Sequence, residues 1–391
     1  MRSVDPDTGG NAAPVGPAGP VGPAGPAVLP VDRLWLATGS ATPAVRRERG
    51  LDLAALLAGR PAQEHARRVA ALHALCGAAH GLAATLALDA ARGAPRAASA
   101  DERQALRRAT AREQVRRLLL DWPAQRPAGA AATAAAREAL GAMPAWTDGA
   151  GAAPWADWLQ RRLLRMPAAA WLRCAAQGGE DWLAAWCEGG ESPVAAWLAA
   201  ARAQAARLRQ PVRAWLPDEA AAADWGRALG AAAEASAPVM DAGGPTETGP
   251  WTRRADPLRD AHDNAWMRLI ARLRDAVQLA LDEDGRWLAS GSVALGRGQG
   301  LAWVEMARGV LWHAVGLAPG ADGQERIAWA RLVAPTDWNF HPRGPVAALL
   351  ARLPAGPVAP RSRADWAVLA YDACVPTHWA AAAAPREPAH A

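Results

Sequence analysis

Apolar positions recur at spacings of three and four through the first third of the chain. Val69, Leu72, Cys76, Ala79, Ala83 and Leu86 fall on one face of a 3.6-residue period, which predicts a single helix running through all of them. Ser99 is a candidate cap for a second helix from Ala100 to about Asp121, ended by Pro123. Similar periodicity predicts helices near 129–142, 154–166, 191–208 and 218–235, and a long amphipathic helix from Asp256 to Asp282. From 285 to 340 the period drops towards two. Trp287–Ser290, Leu301–Glu305, Val310–Leu317 and Arg326–Val333 are strand-like runs, and the Asp-Gly pairs at 284–285 and 322–323 supply turns. Residues 30–45 are irregular or strand-like, and the Gly/Pro/Thr-rich stretch 235–250 reads as a loop. The expected fold class is mainly α with a small antiparallel β-sheet (α+β).

The two ends differ from this body. In residues 1–28, Gly16, Gly19, Gly22 and Gly25 recur every third position, each followed by proline. Four triplets are too few for a collagen helix, so a disordered Gly/Pro-rich tail is expected there, with a second disordered tail at 380–391 and one domain over 29–379. No apolar segment resembling a secretory leader opens the chain. The longest uncharged stretch, Val69 to Leu88, is alanine-rich and contains His73 and His80, a poor candidate for membrane insertion. A cytoplasmic location is the expectation.

Composition changes this picture little. All 43 basic residues are arginine, against 38 acidic ones, for a net charge of +5. The arginines are dispersed among Asp and Glu rather than gathered in a stripe, which points to solvated surface arginine and not to nucleic acid. No phosphate-binding loop is visible, so no nucleotide use is expected. The four cysteines are far apart in a large chain, unlike the framework of a small disulfide-stapled domain.

Two segments carry metal-type ligands. One is His73-Ala-Leu-Cys76-Gly-Ala-Ala-His80, which on a continuous helix would aim His73, Cys76 and His80 at one spot. The other is Asp372-Ala-Cys374-Val-Pro-Thr-His378, with Pro376 placed as if a helix followed. Thiolate and imidazole suit zinc, iron or nickel. Read from spacing alone the signal is weak, and each piece taken singly is more often a buried structural cysteine or a surface histidine.

Four segments in the same order resemble the large subunit of nickel–iron hydrogenases. That family carries Arg-x-Cys-Gly-x-Cys-x-x-x-His before an alanine-rich helix; here Cys76 stands four before His80, followed by Gly81-Leu82-Ala83-Ala84. It carries Glu-x-Pro-Arg-Gly-x-Leu-x-His; here stands Glu305-Met-Ala-Arg308-Gly309-Val-Leu311-Trp-His313. It continues Val-x-Pro-Thr-Thr-Trp-Asn-x-x-Pro-Arg, matched by Val333-Ala-Pro335-Thr336-Asp-Trp338-Asn339-Phe-His-Pro342-Arg343. It ends Asp-Pro-Cys-x-x-Cys-x-x-His, of which Asp372 to His378 is a degraded copy. The resemblance implies the large-subunit fold over roughly 30–380.

The departures define the expected role. A working large subunit holds nickel with four thiolates, two of which bridge to an iron carrying cyanide and carbon monoxide. Here His73 replaces the first early cysteine and Thr377 stands near the second late one, so no stable nickel site is expected. Pro30-Val-Asp-Arg33-Leu34-Trp35 is similar to the family's Arg-Ile-Glu segment, with Trp35 in place of a proton-transfer carboxylate. No short cleavable peptide is expected after His378. The pattern resembles the hydrogenase expression/formation proteins of the HupK/HoxV type, which implies a non-catalytic maturation factor. It would be a scaffold or carrier that transiently holds the Fe(CN)2CO unit on Cys76 and Cys374. The implied partners are the hydrogenase large subunit precursor and other maturation proteins. His73, His80, Arg308, Asp372 and His378 would support or ligate, with Arg308 donating to cyanide nitrogen. Cys374 matches the terminal cysteine of the late pair when counted from Asp372, and lies one short of the bridging position when counted from His378. Two other readings remain open: a metal-free interaction module mimicking the large subunit, and a zinc-stabilised fold using Cys76, His80, Cys374 and His378.

Overall fold

The computed structural model describes residues 32–39, 43–146, 152–232, 240–241, 243–358 and 362–380. The expected tail at 1–28 lies outside the described residues, as does the one at 380–391 apart from Ala380.

The architecture is organised around one helix. Asn264 caps Ala265–Leu281 by accepting from the Met267 N–H at 2.9 Å. The helix is buried almost all round: Trp266, Ile270 and Leu273 sit in the core, and so do Arg268, Arg272 and Asp275. Its start is later than the sequence periodicity indicates, because Asp256 to Asp263 is used in turns and a short 3₁₀ segment. Helices Ala100–Arg116, Ala168–Gly189, Pro193–Ala205 and Arg363–Tyr371 pack around it. The Ala168–Gly189 segment, helical on both sides of a kink at Gly179 (φ 53°), is absent from the sequence expectations. Its alanines and glycines give a weak apolar stripe, carried mainly by Trp171 and Leu183.

Four antiparallel strands form a meander in chain order: Ser290–Gly296, Gln299–Met306, Gly309–Pro319 and Glu325–Val333. The last three match the strand-like runs, extended by residues the turns allow. The first lies beyond its expected place, since Trp287 instead tucks its indole N–H onto Asp275 at 2.6 Å. Met306 pairs with Gly309 across a two-residue turn, so Arg308 sits at a hairpin tip. Gly309 has φ +132°, and a Cβ there would lie 2.4 Å from Thr248 Oγ1, so glycine is required on both counts. The alanine-rich helix Gly77–Ala91 lies against this sheet.

A second sheet is built from distant segments. Arg33–Leu36 pairs antiparallel with Val45–Glu48 and parallel with Thr377–Trp379. No helix follows Pro376, contrary to expectation; Thr377 onward is strand because it completes this sheet.

Two further corrections concern helices. The predicted helix through Val69 and Leu86 is two helices, His65–Leu72 and Gly77–Ala91, separated by a break at 73–76. Pro123 does not end the helix begun at Ala100. The chain passes through a π-helical turn, Arg117–Asp121, and Pro123 sits in the first turn of Trp122–Gln125, where its missing N–H costs nothing.

Candidate functional site

The break between the two early helices sets up the site. His73 ends the first helix with φ −122° and ψ 81°, and Cys76 is the N-cap of the next. The reversal is tight: a Cβ at Gly77 would lie 2.5 Å from the Ala70 carbonyl oxygen, so only glycine fits. Cys76 is thereby set at the end of a helix buried against the sheet, and the His80 N–H donates to the Cys76 carbonyl at 3.1 Å.

Cys374 arrives differently. The Arg363–Tyr371 helix ends at Asp372, a non-glycine residue in the left-handed region at φ 51°. The next four residues, 373–376, form an irregular strap before the strand at Thr377. On this strap Cys374 is exposed, whereas Cys76 is half-buried. Thr336, in the first turn of Pro335–Asn339, fixes it: the hydroxyl donates to Cys374 Sγ at 3.1 Å and accepts from the Cys374 N–H at 3.0 Å. Thr336, which the sequence shows only as one position of a motif, thus touches the thiol directly.

Cys76, Cys374, His73, His80 and Arg308 all line one cavity of about 430 Å³, whose mouth is bordered by Leu51, Leu72 and the exposed Leu75. Five of the seven residues singled out from sequence line it, the two thiols with His73, His80 and Arg308, while Asp372 stands behind Arg308. His378 does not reach it. It lies exposed on the edge strand with its ring 5.1 Å from Trp35, whose indole N–H donates to Glu48 Oε2 at 2.9 Å. The position expected to have lost a carboxylate thus holds an indole packed on His378.

Arg308 is 1% exposed, unlike the solvated surface arginine that the composition as a whole suggests. It pairs with Glu113 and lies 3.3 Å from Asp372 Oδ2 through Nε, an ion pair without hydrogen-bond alignment. Asp372 Oδ2 is also 2.8 Å from Arg272 Nη2, and Oδ1 is 3.2 Å from Arg117 Nη2. Three buried guanidiniums therefore converge on Asp372, with Glu113 also pairing Arg308 and Asp121 also pairing Arg117. Burial alone would raise the Asp372 carboxyl; Arg272, Arg308 and Arg117 outweigh it and hold it below the usual range. Arg308 Nη2 is buried with no hydrogen-bond partner in a side chain that lines the cavity. Glu113, Arg117 and Arg272 were missed from sequence, since nothing local marks a residue whose partner lies more than a hundred positions away.

Burial pushes the Cys76 thiol up to about 12, with the charges of Cys374 and Glu113 adding to the effect and Arg308 opposing it. Without a bound cation the thiol keeps its proton. Behind it stands a row of imidazoles. The His73 ring stacks on His80 with centroids 3.5 Å apart, and His80 Nδ1 lies 3.0 Å from His313 Nε2, one ring N–H donating to the other nitrogen. Burial keeps His80 and His313 well below the ordinary histidine pKa, and lowers His65 to about 4. Among the described residues, no three His, Cys, Asp or Glu side chains stand close enough to hold a metal ion unaided. The cavity thus offers two protein thiols, one spare guanidinium donor and a largely apolar rim. Such a donor set fits an iron unit that brings most of its own ligands and carries hydrogen-bond acceptors on them.

Curated relatives cover most of the chain. The hydrogenase expression/formation protein HoxV of Cupriavidus necator is 34% identical over 371 residues, spanning 90% of this chain and 95% of that one. The hydrogenase expression/formation protein HupK of Azotobacter vinelandii is 32% identical over 351 residues, spanning 82% and 88%. Among solved structures, the nickel–iron–selenium hydrogenase of Desulfovibrio vulgaris Hildenborough in its reduced state matches with a TM-score of 0.50 at 15% identity, over 84% of this chain and 92% of that one. A likeness at that identity shows the fold, which is that of the hydrogenase large subunit. No family model matches the chain. No helix among the described residues is long and apolar enough to cross a membrane.

Proposed function

This chain belongs to the family of hydrogenase expression/formation proteins, and from that premise we propose that it is a non-catalytic carrier of the Fe(CN)2CO unit in nickel–iron hydrogenase maturation. The observation that carries the reading is the cavity at Cys76 and Cys374, where Arg308 has a buried Nη2 without a partner. Cys76 and Cys374 would each give up a proton and bind the iron as thiolates. The diatomic ligands fill most of the remaining positions, so two protein donors suffice. Arg308 Nη2 would donate to a cyanide nitrogen, and the guanidinium would offset the negative charge of the loaded unit. Glu113 and Asp372 hold that guanidinium in place from behind. The exposed strap carrying Cys374 supports release to a recipient, the hydrogenase large subunit precursor.

A zinc-stabilised fold is the weaker reading. Structural zinc takes four protein ligands, and His378 packs on Trp35 away from the cavity. The test is infrared spectroscopy with iron quantification on protein purified from its own host. Cyanide and carbon monoxide bands with about one iron per chain support the carrier. No bands and no iron would overturn it in favour of a metal-free module that binds maturation partners through the same fold.

A further inference from the structure

We propose that Cys76 and Cys374 are also a redox-modification site, at which a hydroperoxide converts the two thiols into one intramolecular disulfide. The site is shared with the carrier reading, but the oxidation itself needs no iron. Of the four cysteines, these two line the cavity, while Cys174 and Cys187 both lie on the Ala168–Gly189 helix. The two thiols are close enough for the charge of one to oppose ionisation of the other.

The second observation is how the strap is held. Asp372 is clamped at one end by three arginines, and Thr377 is pinned to Leu34 at the other. Between them the Thr336 hydroxyl makes the hydrogen bonds to Cys374 given above. A second cavity of about 450 Å³ also borders Val375 and Pro376, so the strap has open space alongside it as well as within the thiol cavity. Closing a disulfide requires the Thr336 hydrogen bonds to Cys374 to break, while Cys76 stays at the start of a helix packed against the sheet.

The chemistry follows from this asymmetry. Cys374, the exposed thiol, meets the oxidant first. Its sulfur attacks the terminal oxygen of the hydroperoxide, the O–O bond breaks, and an alcohol leaves with the thiol proton balanced. Cys374 is then a sulfenic acid. The Cys76 sulfur attacks the Cys374 sulfur, the S–O bond breaks, and water leaves carrying the second proton. Two thiols and one hydroperoxide give one disulfide, one alcohol and one water. The disulfide removes both donors at once, so the oxidised protein takes up no iron unit.

The experiment treats the full-length protein with hydrogen peroxide, then denatures, alkylates and maps peptides without reduction. The expected result is a fall from four free thiols to two, a linked peptide joining Cys76 to Cys374, and full recovery with a dithiol reductant. Cys76→Ser should instead leave a sulfenic acid at Cys374, trapped by a dimedone probe. Four remaining thiols, over-oxidation at Cys374, or links between chains would each overturn the proposal. Infrared spectra of the same preparation separate the two readings. Iron bands without a linked peptide sink the redox site alone, and a linked peptide in protein that never holds iron sinks the carrier alone.

Discussion

The early and late cysteine segments bring the same functional group to one cavity by opposite means. Cys76 sits at the start of a 15-residue helix buried against the sheet, with a stacked imidazole row behind it. Cys374 rides an exposed strap held between an ionic clamp and an edge strand. In the proposed carrier the two thiols would be non-equivalent ligands, one at the start of a buried helix and the other on an exposed strap. Retention of cargo would then depend on Cys76, and its release on Cys374.

The largest effect that would sharpen the comparison is loss of cargo. Cys76→Ala should abolish the infrared bands and the bound iron while leaving circular dichroism unchanged. Cys374→Ala should also lose the unit, and a mutant chain that keeps its full complement of iron would break the ligand assignment. Next comes the clamp. Asp372→Asn leaves Arg308 with Glu113 and Arg117 with Asp121 but takes the ion-pair partner from Arg272, and removing one partner from a buried ion network costs about 3–5 kcal/mol. A urea midpoint unchanged from wild type would show that the strap is anchored elsewhere.

Acid should act on the early segment. His65, His80 and His313 titrate in the folded state below the ordinary value, His65 at about 4, because burial disfavours the charged ring. As pH falls below about 6.5, the unfolded chain binds protons that the folded chain refuses. Stability is therefore complete above that pH and is lost progressively towards pH 4, by roughly 1.4 kcal/mol per pH unit for each such histidine. Urea unfolding at pH 7.5 and pH 5 measures this, and His65→Leu should flatten the slope; equal midpoints for the wild type would contradict it. The smallest effect belongs to the strap's tether. Thr336→Val removes hydrogen bonds to Cys374 and should speed iron release about fivefold, the rate equivalent of roughly 1 kcal/mol, with little change in global stability.

What could be read from the sequence divides along the same line. The meander at 299–333 was legible because alternation and Asp-Gly turns are local signals, and the motif around Arg308 placed it at the cavity. The break at 73–76 was not, because alanine keeps the helical period running through a reversal that depends on Gly77 meeting Ala70. The strand at Thr377 was hidden behind Pro376, since its partner is Leu34. The interior arginines were hidden most completely. Arg253, Arg268, Arg272 and Arg308 are buried against carboxylates from other elements, whereas dispersed arginine in a sequence looks like solvent-facing charge.

The parallel pairing of Leu34 with Thr377 has a consequence for biosynthesis. A strand near residue 34 leaves the ribosome long before its neighbour exists, and the cost of closing so long a loop must be met before the pairing can stabilise anything. Cys76 can be folded onto its helix early, but the wall that carries Cys374 is added only after the whole intervening chain has been made. The nascent chain therefore carries the first thiol of the cavity well before the second, and acquires the pair in one later step.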